Sequence, residues 1–154
     1  MISKIESFHD EYRFLSNFWP VLLEYEGIVY PTIEHAFQAA KTLDNNQRTE
    51  MSQMNTAGAA KRFGRQITLR PDWEQVKFSV MRQLVAKKFM VTNELGQKLI
   101  ATGDAVLIDG NNWGDVIWGV CNGEGKNMLG VILMERRNQL KELAKNENKG
   151  VTHG

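Results

Sequence analysis

The stretch Tyr30-Pro-Thr-Ile-Glu-His-Ala-Phe-Gln-Ala-Ala-Lys41 sets the frame for the chain. Pro31 has no amide hydrogen and ends the strand that precedes it. Thr32 carries a hydroxyl suited to a free amide of a first helical turn, so the spacing predicts a helix from 32 to about 41. Upstream, 21–26 and 28–30 are β-forming runs on either side of Gly27, and Glu26-Gly27 predicts a hairpin turn. Along the helix Glu34, Gln38 and Lys41 stand at i, i+4 and i+7 and share one face. Ile33, Ala36, Phe37, Ala39 and Ala40 supply the rest, and the small ones allow neighbouring elements to approach closely. A polar stripe in this setting has two readings. One is a solvent-exposed face, with Glu34 favoured by the dipole at the helix start. The other is a cleft wall that holds a carboxylate beside an amine. The pattern by itself favours the exposed face.

Working outward, a second short helix is predicted over 47–54, and Asn55 or Thr56 caps a third that ends near Gly64. Pro71 opens a longer helix to about residue 90, with a stripe of Val76, Val80, Leu84 and then Lys87 or Lys88. A short helix over 93–101 is closed by Gly103, and 105–108 reads as a short strand. Residues 109–126, rich in Gly, Asn and Trp, form a long irregular loop. The last helix spans 127 to about 144, with Leu129, Leu133, Leu140 and Leu143 along one side. The sum is an α+β, predominantly helical single domain with a small N-terminal β element, covering 1–145, followed by a flexible polar tail at 146–154.

Composition narrows the function classes. The chain has 154 residues, 42% hydrophobic and 24% charged, enough to bury a core without staples. Nineteen basic against 18 acidic residues leave a formal charge of +1, which does not point to wholesale nucleic-acid or membrane-surface binding. The local run Lys61, Arg62, Arg65, Arg70, Lys77, Arg82, Lys87 and Lys88 reads as a solvated helix face. A single cysteine, Cys121, allows no internal disulfide and fits a reducing compartment. His9, His35 and His153 make neither a Cys-His pair nor a metal-ligand spacing, so no metal and no cofactor are expected. With no leader-like start and no run of membrane-spanning length, a cytoplasmic protein is expected, with no membrane partner and no obligatory protein partner.

Three further segments carry polar chemistry. The 109–126 loop holds Trp113 and Trp118 beside Asp109 and Asp115, a combination suited to a flat heterocycle on a sugar. Gly123-Glu-Gly-Lys-Asn-Met-Leu-Gly130 enters the last helix, where backbone amides and Lys126 could hold a phosphate. Met128 takes the place of the third glycine of a dinucleotide fingerprint, and the run is not a P-loop either. Phe14-Leu-Ser-Asn-Phe-Trp-Pro20 sets Asn17 among aromatics just after Arg13 and suits a binding wall.

Together these segments resemble the NADAR family, also called YbiA-like. The resemblance runs through Phe14–Phe18 and Tyr30–Lys41, then Ala60-Lys-Arg-Phe-Gly-Arg65, Trp73-Glu74, Met81 and Lys88-Phe89. It continues with Leu99-Ile-Ala-Thr-Gly103, Asp115-Val-Ile-Trp-Gly119, Gly125-Lys-Asn-Met-Leu-Gly130 and Leu133-Met-Glu-Arg-Arg137. It implies a mainly helical fold and an N-glycosidase that cuts a ribose C1–N bond. The expected substrates are the phosphorylated early intermediates of riboflavin synthesis. The alternatives are ADP-ribose carried on guanine bases or nucleosides, or a non-catalytic nucleotide-binding module. The resemblance implies catalytic roles for Glu34, Lys41 and Asp115. It implies active-site places for Trp73 and Trp118 and pocket-lining ones for Asn17 and Asn127, and the polar segments described above add Arg13, Phe18, Asp109, Trp113, Gly119 and Lys126 as expected substrate contacts. At 109 the family often has Glu, and the Asp here is one methylene shorter. Glu34 is expected to stabilise an oxocarbenium-like ribose or to activate water, and Lys41 to act as acid, phosphate anchor or nucleophile.

Overall fold

The computed structural model describes residues 2–153, and side chains as far as Glu147. Its elements are β1 (Lys4–Ile5), a 3₁₀ turn (Asp10–Leu15), β2 (Leu23–Tyr25), β3 (Ile28–Tyr30), α1 (Ile33–Ala40), α2 (Asn45–Ser52), α3 (Ala57–Phe63), α4 (Trp73–Lys88), α5 (Glu94–Ala101), β4 (Val106–Leu107), β5 (Gly110–Asn111), β6 (Val120–Cys121) and α6 (Met128–His153). Helices dominate and each strand pair stands alone, as the α+β expectation has it. The chain forms two compact units, one of Asn17–Lys88 and one of Met1–Ser16 with Phe89–Gly154.

In the first unit, β2 and β3 pair antiparallel with Tyr25 opposite Ile28. Glu26 and Gly27 close the turn at φ 48° and 90°, and two consecutive positive φ values make the tight hairpin turn that Gly favours. Thr32 caps α1 by accepting from the His35 amide at 3.1 Å. Asp44, Thr56 and Asn93 cap α2, α3 and α5 with their side chains in the same manner. The helix predicted over 47–54 therefore starts two residues early, because Asp44 accepts from the amides of Asn46 and Gln47. Every residue of α1 is buried. Hairpin, α2, α3 and α4 all pack on it, and Ala36, Ala39 and Ala40, with no exposed surface, let them come close. The exposed-face reading of Glu34 and Gln38 is thereby corrected. The stripe on α4 ends on Lys88, which is fully buried, whereas Lys87 is exposed and pairs with Glu24 at 3.5 Å. Lys88 is thus not part of the solvated basic face the sequence predicted.

In the second unit, β1 pairs with β4 in parallel, Lys4 with Val106 and Ile5 with Leu107. β5 and β6 make a further parallel pair inside the loop expected to be irregular. α6 buries Leu129, Ile132, Leu133 and Leu140. Leu143 is 44% exposed, so the apolar side stops one turn earlier than the leucine spacing suggests. Residues 146–153, set apart as a tail in the sequence, lie within the span of α6, while Gly154 and the side chains from Asn148 onward are outside the described residues. Among the described residues no helix is long and apolar enough to cross a membrane.

Candidate active site

The Glu34 carboxylate sits on a fully enclosed helix, 8% exposed. Its Oε1 accepts from Gln38 Nε2 at 2.8 Å, the i, i+4 neighbour on the same face. The Glu34 amide donates to the Asn17 carbonyl at 3.1 Å, so the segment before the hairpin is tied to the start of α1. The Asn17 side chain turns to Met81 Sδ at 3.8 Å, and its buried Oδ1 has no protein partner. Phe18 beside it is exposed.

Lys41 follows at the end of α1, half-buried. Arg70 fixes its backbone: the Arg70 amide donates to the Lys41 carbonyl at 2.7 Å and Nη1 reaches the Ala40 carbonyl at 3.5 Å. Asp72 holds the Arg70 guanidinium at 2.6 Å. A cation here also suits the negative end of the helix dipole. Burial lowers the Lys41 pKa from the ordinary lysine value. The Glu34 charge opposes that shift, and Arg65 and Lys61 add to it. A carboxylate and an amine with a weakened hold on its proton thus share one helix face.

Trp73 stands at the edge of this face. It is 7% exposed and packs on Phe37 with ring centroids 5.0 Å apart. His35, by contrast, is structural. Its Nδ1 faces Thr32 Oγ1 at 2.7 Å and its Nε2 faces the Met54 carbonyl at 3.0 Å. Because a carbonyl only accepts, Nε2 carries the proton and Nδ1 accepts from the hydroxyl. Burial lowers the His35 pKa, with the Met54 bond acting in the opposite direction.

The loop residues of the other unit spend their polar groups on one another. Asn111 Oδ1 accepts from the amides of Trp113 and Asp115, and its Nδ2 donates to the carbonyls of Asp115 and Val120. Asp115 Oδ1 accepts from the amides of Ile117 and Trp118 at 3.1 and 2.9 Å. Asn127 Oδ1 accepts from the Asp109 amide at 2.9 Å and its Nδ2 donates to the Leu107 carbonyl at 2.8 Å. Gly119 is buried and its carbonyl accepts from the Asn127 amide. Trp118 and Asp109 are half-buried, and Trp113 is 63% exposed. Arg13, in the 3₁₀ turn, is exposed.

The amides entering α6 are already engaged. Those of Lys126, Asn127, Met128 and Leu129 donate to the carbonyls of Val116, Gly119, Ile117 and Trp118, and that of Glu124 to Cys121. Of the four amides of the phosphate cradle predicted at 123–126, those of Glu124 and Lys126 are thus taken by loop carbonyls. The Lys126 side chain is exposed.

Sequence reasoning placed Gln38 on the Glu34 face without giving it a role, and the tie to Glu34 is the signal it passed over. It saw Lys61 and Arg65 as solvated surface and as part of a family motif without linking them to Lys41, whose charge both act on.

The NADAR domain model matches residues 5–141. The chain belongs to the NADAR family. It is 43% identical to the N-glycosidase YbiA of Shigella boydii over 136 residues, covering 85% of this chain and 83% of that protein. It is 33% identical over 138 residues to an N-glycosidase of Nostoc punctiforme, covering 86% and 88%. The NMR structure of Escherichia coli YbiA superposes with a TM-score of 0.81 at 38% identity, covering 94% of this chain and 89% of that one. By this kinship the chain is an N-glycosidase, a hydrolase of N-glycosyl bonds.

Proposed function

We propose that this NADAR N-glycosidase hydrolyses the ribose C1–N bond of a phosphorylated early intermediate of riboflavin biosynthesis, with Glu34 and Lys41 as its catalytic pair. A relative in Vibrio vulnificus, 35% identical over 138 residues, is named a riboflavin biosynthesis protein, and this chain spans 37% of its length. The observation that carries the catalytic part is the juxtaposition of a buried carboxylate with an amine whose pKa is lowered by burial.

The chemistry follows from the bond. As the base leaves, C1 gains positive charge shared with the ring oxygen. A carboxylate in a poorly hydrated site stabilises that charge far better than one in water. Glu34 supplies it from a fixed rotamer, and in the second half of the reaction can take the proton of the attacking water. Lys41, in its neutral form, can instead bond to C1 as the C1–N bond breaks. Loss of an ammonium proton and opening of the ring then give an imine that water hydrolyses. The lowered pKa supports this route, because it increases the share of free amine at neutral pH.

The remaining assignments stand on the family motifs and on the polar segments beside them. Asn17 and Phe18 contact substrate, and Trp73 contacts it or backs Phe37. Arg13, Asp109, Trp113, Trp118, Gly119, Lys126 and Asn127 are each assigned a substrate contact that its own substitution tests. Asp115, with Oδ1 held by two loop amides, contributes by fixing Trp118 or by direct charge. The reaction is assigned to the cytoplasm, without a protein partner. The deciding experiment incubates the protein with phosphorylated and unphosphorylated ribosides of aminopyrimidines and with ADP-ribosylated guanosine, and follows released base by mass spectrometry. Release from the phosphorylated aminopyrimidine ribosides is expected. Release from ADP-ribosylated guanosine alone would replace the substrate while keeping the bond.

A further inference from the structure

Gln38 is 5% exposed, and its amide is tied at one end only. Nε2 donates to Glu34, while Oε1 is buried with no hydrogen-bond partner. Reversing the amide would satisfy nothing, because it would set Oε1 against Glu34 Oε1, acceptor against acceptor. A buried carbonyl oxygen left without a partner is costly, and such an atom in a folded protein calls for an explanation. The explanation lies on its other side. Gly64, which ends α3, passes directly over the amide. A Cβ at Gly64 would fall 2.0 Å from Gln38 Oε1 and 2.7 Å from Cδ, so no larger residue fits unless Gln38 moves. The amide is held between the Gly64 backbone and the Glu34 carboxylate, in the one orientation that presents a donor to the carboxylate.

We infer that Gln38 is a positioning residue for Glu34, and that Gly64 is the backbone stop that keeps its amide turned toward the carboxylate. Gln38 touches no reacting atom. It fixes the Glu34 rotamer and favours the ionised carboxylate, the form that stabilises positive charge at C1. The helix spacing makes this possible: residues four apart lie one above the other, and the C-terminal side chain leans back toward the N-terminal one. The inference rests on Glu34 being catalytic, as proposed above.

The test combines turnover with a measurement that needs no substrate. Gln38→Met keeps an unbranched chain under Gly64 but removes the donor. Gln38→Glu keeps the shape and sets a like charge beside Glu34. In both variants the Glu34 carboxyl pKa, read by carbon NMR on labelled protein, is expected to rise, and more in Gln38→Glu. On a confirmed substrate, kcat is expected to fall about tenfold or more, the scale of one lost hydrogen bond to an ionised group, with KM changing little. The acid limb of the kcat profile should move up with the carboxyl pKa. Gly64→Ala should lower kcat in the wild-type background, and should add little once residue 38 is Ala, because no amide then meets the new methyl. An unmoved Glu34 pKa in both Gln38 variants overturns the inference, as does a Gly64→Ala effect of equal size in the two backgrounds. If the wild type hydrolyses none of the ribosides, the substrate assignment fails, and the NMR measurement still decides the role of Gln38.

Discussion

α1 with Lys41 at its end, and the 109–126 loop with Asn127 at its end, both carry carboxylate, amide and basic side chains, yet they use them in opposite ways. In the loop, Asn111, Asp115 and Asn127 bond to backbone groups within a few residues or across the same unit, and even the amides entering α6 are answered by loop carbonyls. On α1, a carboxylate and a carboxamide are buried side by side, and the carboxamide oxygen of Gln38 has no hydrogen-bond partner. A long polar loop rich in Gly and Asn needs that chemistry to hold its own irregular backbone in place, since every buried N–H and C=O must find a partner. A regular helix satisfies its backbone internally and leaves its side chains for other work. Polar residues on a buried helix are therefore the stronger sign of catalysis, and polar residues in a loop are first accounted for by the loop.

The largest expected effect falls on α1. Glu34→Gln keeps the shape and loses the charge, and should lower kcat by roughly 100-fold or more with much less change in ground-state binding. Lys41→Ala should be nearly inactive. Borohydride added during turnover should trap a ribose adduct on Lys41 if it is the nucleophile, and mass spectrometry of peptides would locate it. Near-wild-type turnover of Glu34→Gln would erase the contrast between the two regions and move the chemistry to Asp109 or Asp115.

On the loop side the expected loss is in stability. Asn127→Ala strands the Asp109 amide and the Leu107 carbonyl. Urea unfolding should show a cost of about 2–4 kcal/mol, the scale of two unmet buried groups. The kcat of the folded fraction should change far less than in Glu34→Gln. The reverse result, full stability with lost turnover, would make Asn127 a substrate contact first and a scaffold second.

The contrast was only partly legible in the sequence. The cap at Thr32, the turn at Glu26-Gly27 and the stop at Pro31 act through neighbours one to three residues away, and they came through. The pairing of Lys4 with Val106 and the approach of Gly64 to Gln38 join segments far apart in the chain, and no local pattern announces them. The same limit explains the stripe on α1. Its residue spacing gave the shared face correctly, but whether water or protein covers that face depends on α2, α3 and α4. For the loop, the abundance of Gly and Asn predicted an irregular backbone, but not that Asn111 and Asn127 would hold that backbone in place with their own side chains.

A smaller effect concerns Lys88, where the polar-on-helix rule meets a group outside the Glu34 face. Burial brings its pKa down to about 7. An unfolded lysine titrates near about 10.4, so between about pH 7 and 10 the unfolded chain binds more protons and stability rises with pH. The cost of holding the charged form is fully present below that window. Lys88→Met should abolish the rise, as urea midpoints at pH 7, 8 and 9 would reveal. Smallest of all is Lys126→Ala. With the nearby amides already engaged, KM for a phosphorylated substrate should rise by less than about fivefold, the scale of an exposed ion pair. A larger rise would restore the start of α6 as an anion site.

The Thr32–His35 contact sets a floor under the working pH that owes nothing to the reaction. The Thr32 hydroxyl latches α1 by accepting from one amide while donating to a neutral imidazole. As pH falls below the ordinary histidine range, about 6.5, the unfolded chain takes up a proton that burial withholds from the folded one, and folding stability declines. A protonated ring would aim a hydrogen at the hydroxyl oxygen and leave the hydroxyl's own hydrogen without an acceptor. In mild acid the protein can therefore fall silent because the helix under its carboxylate has come unlatched.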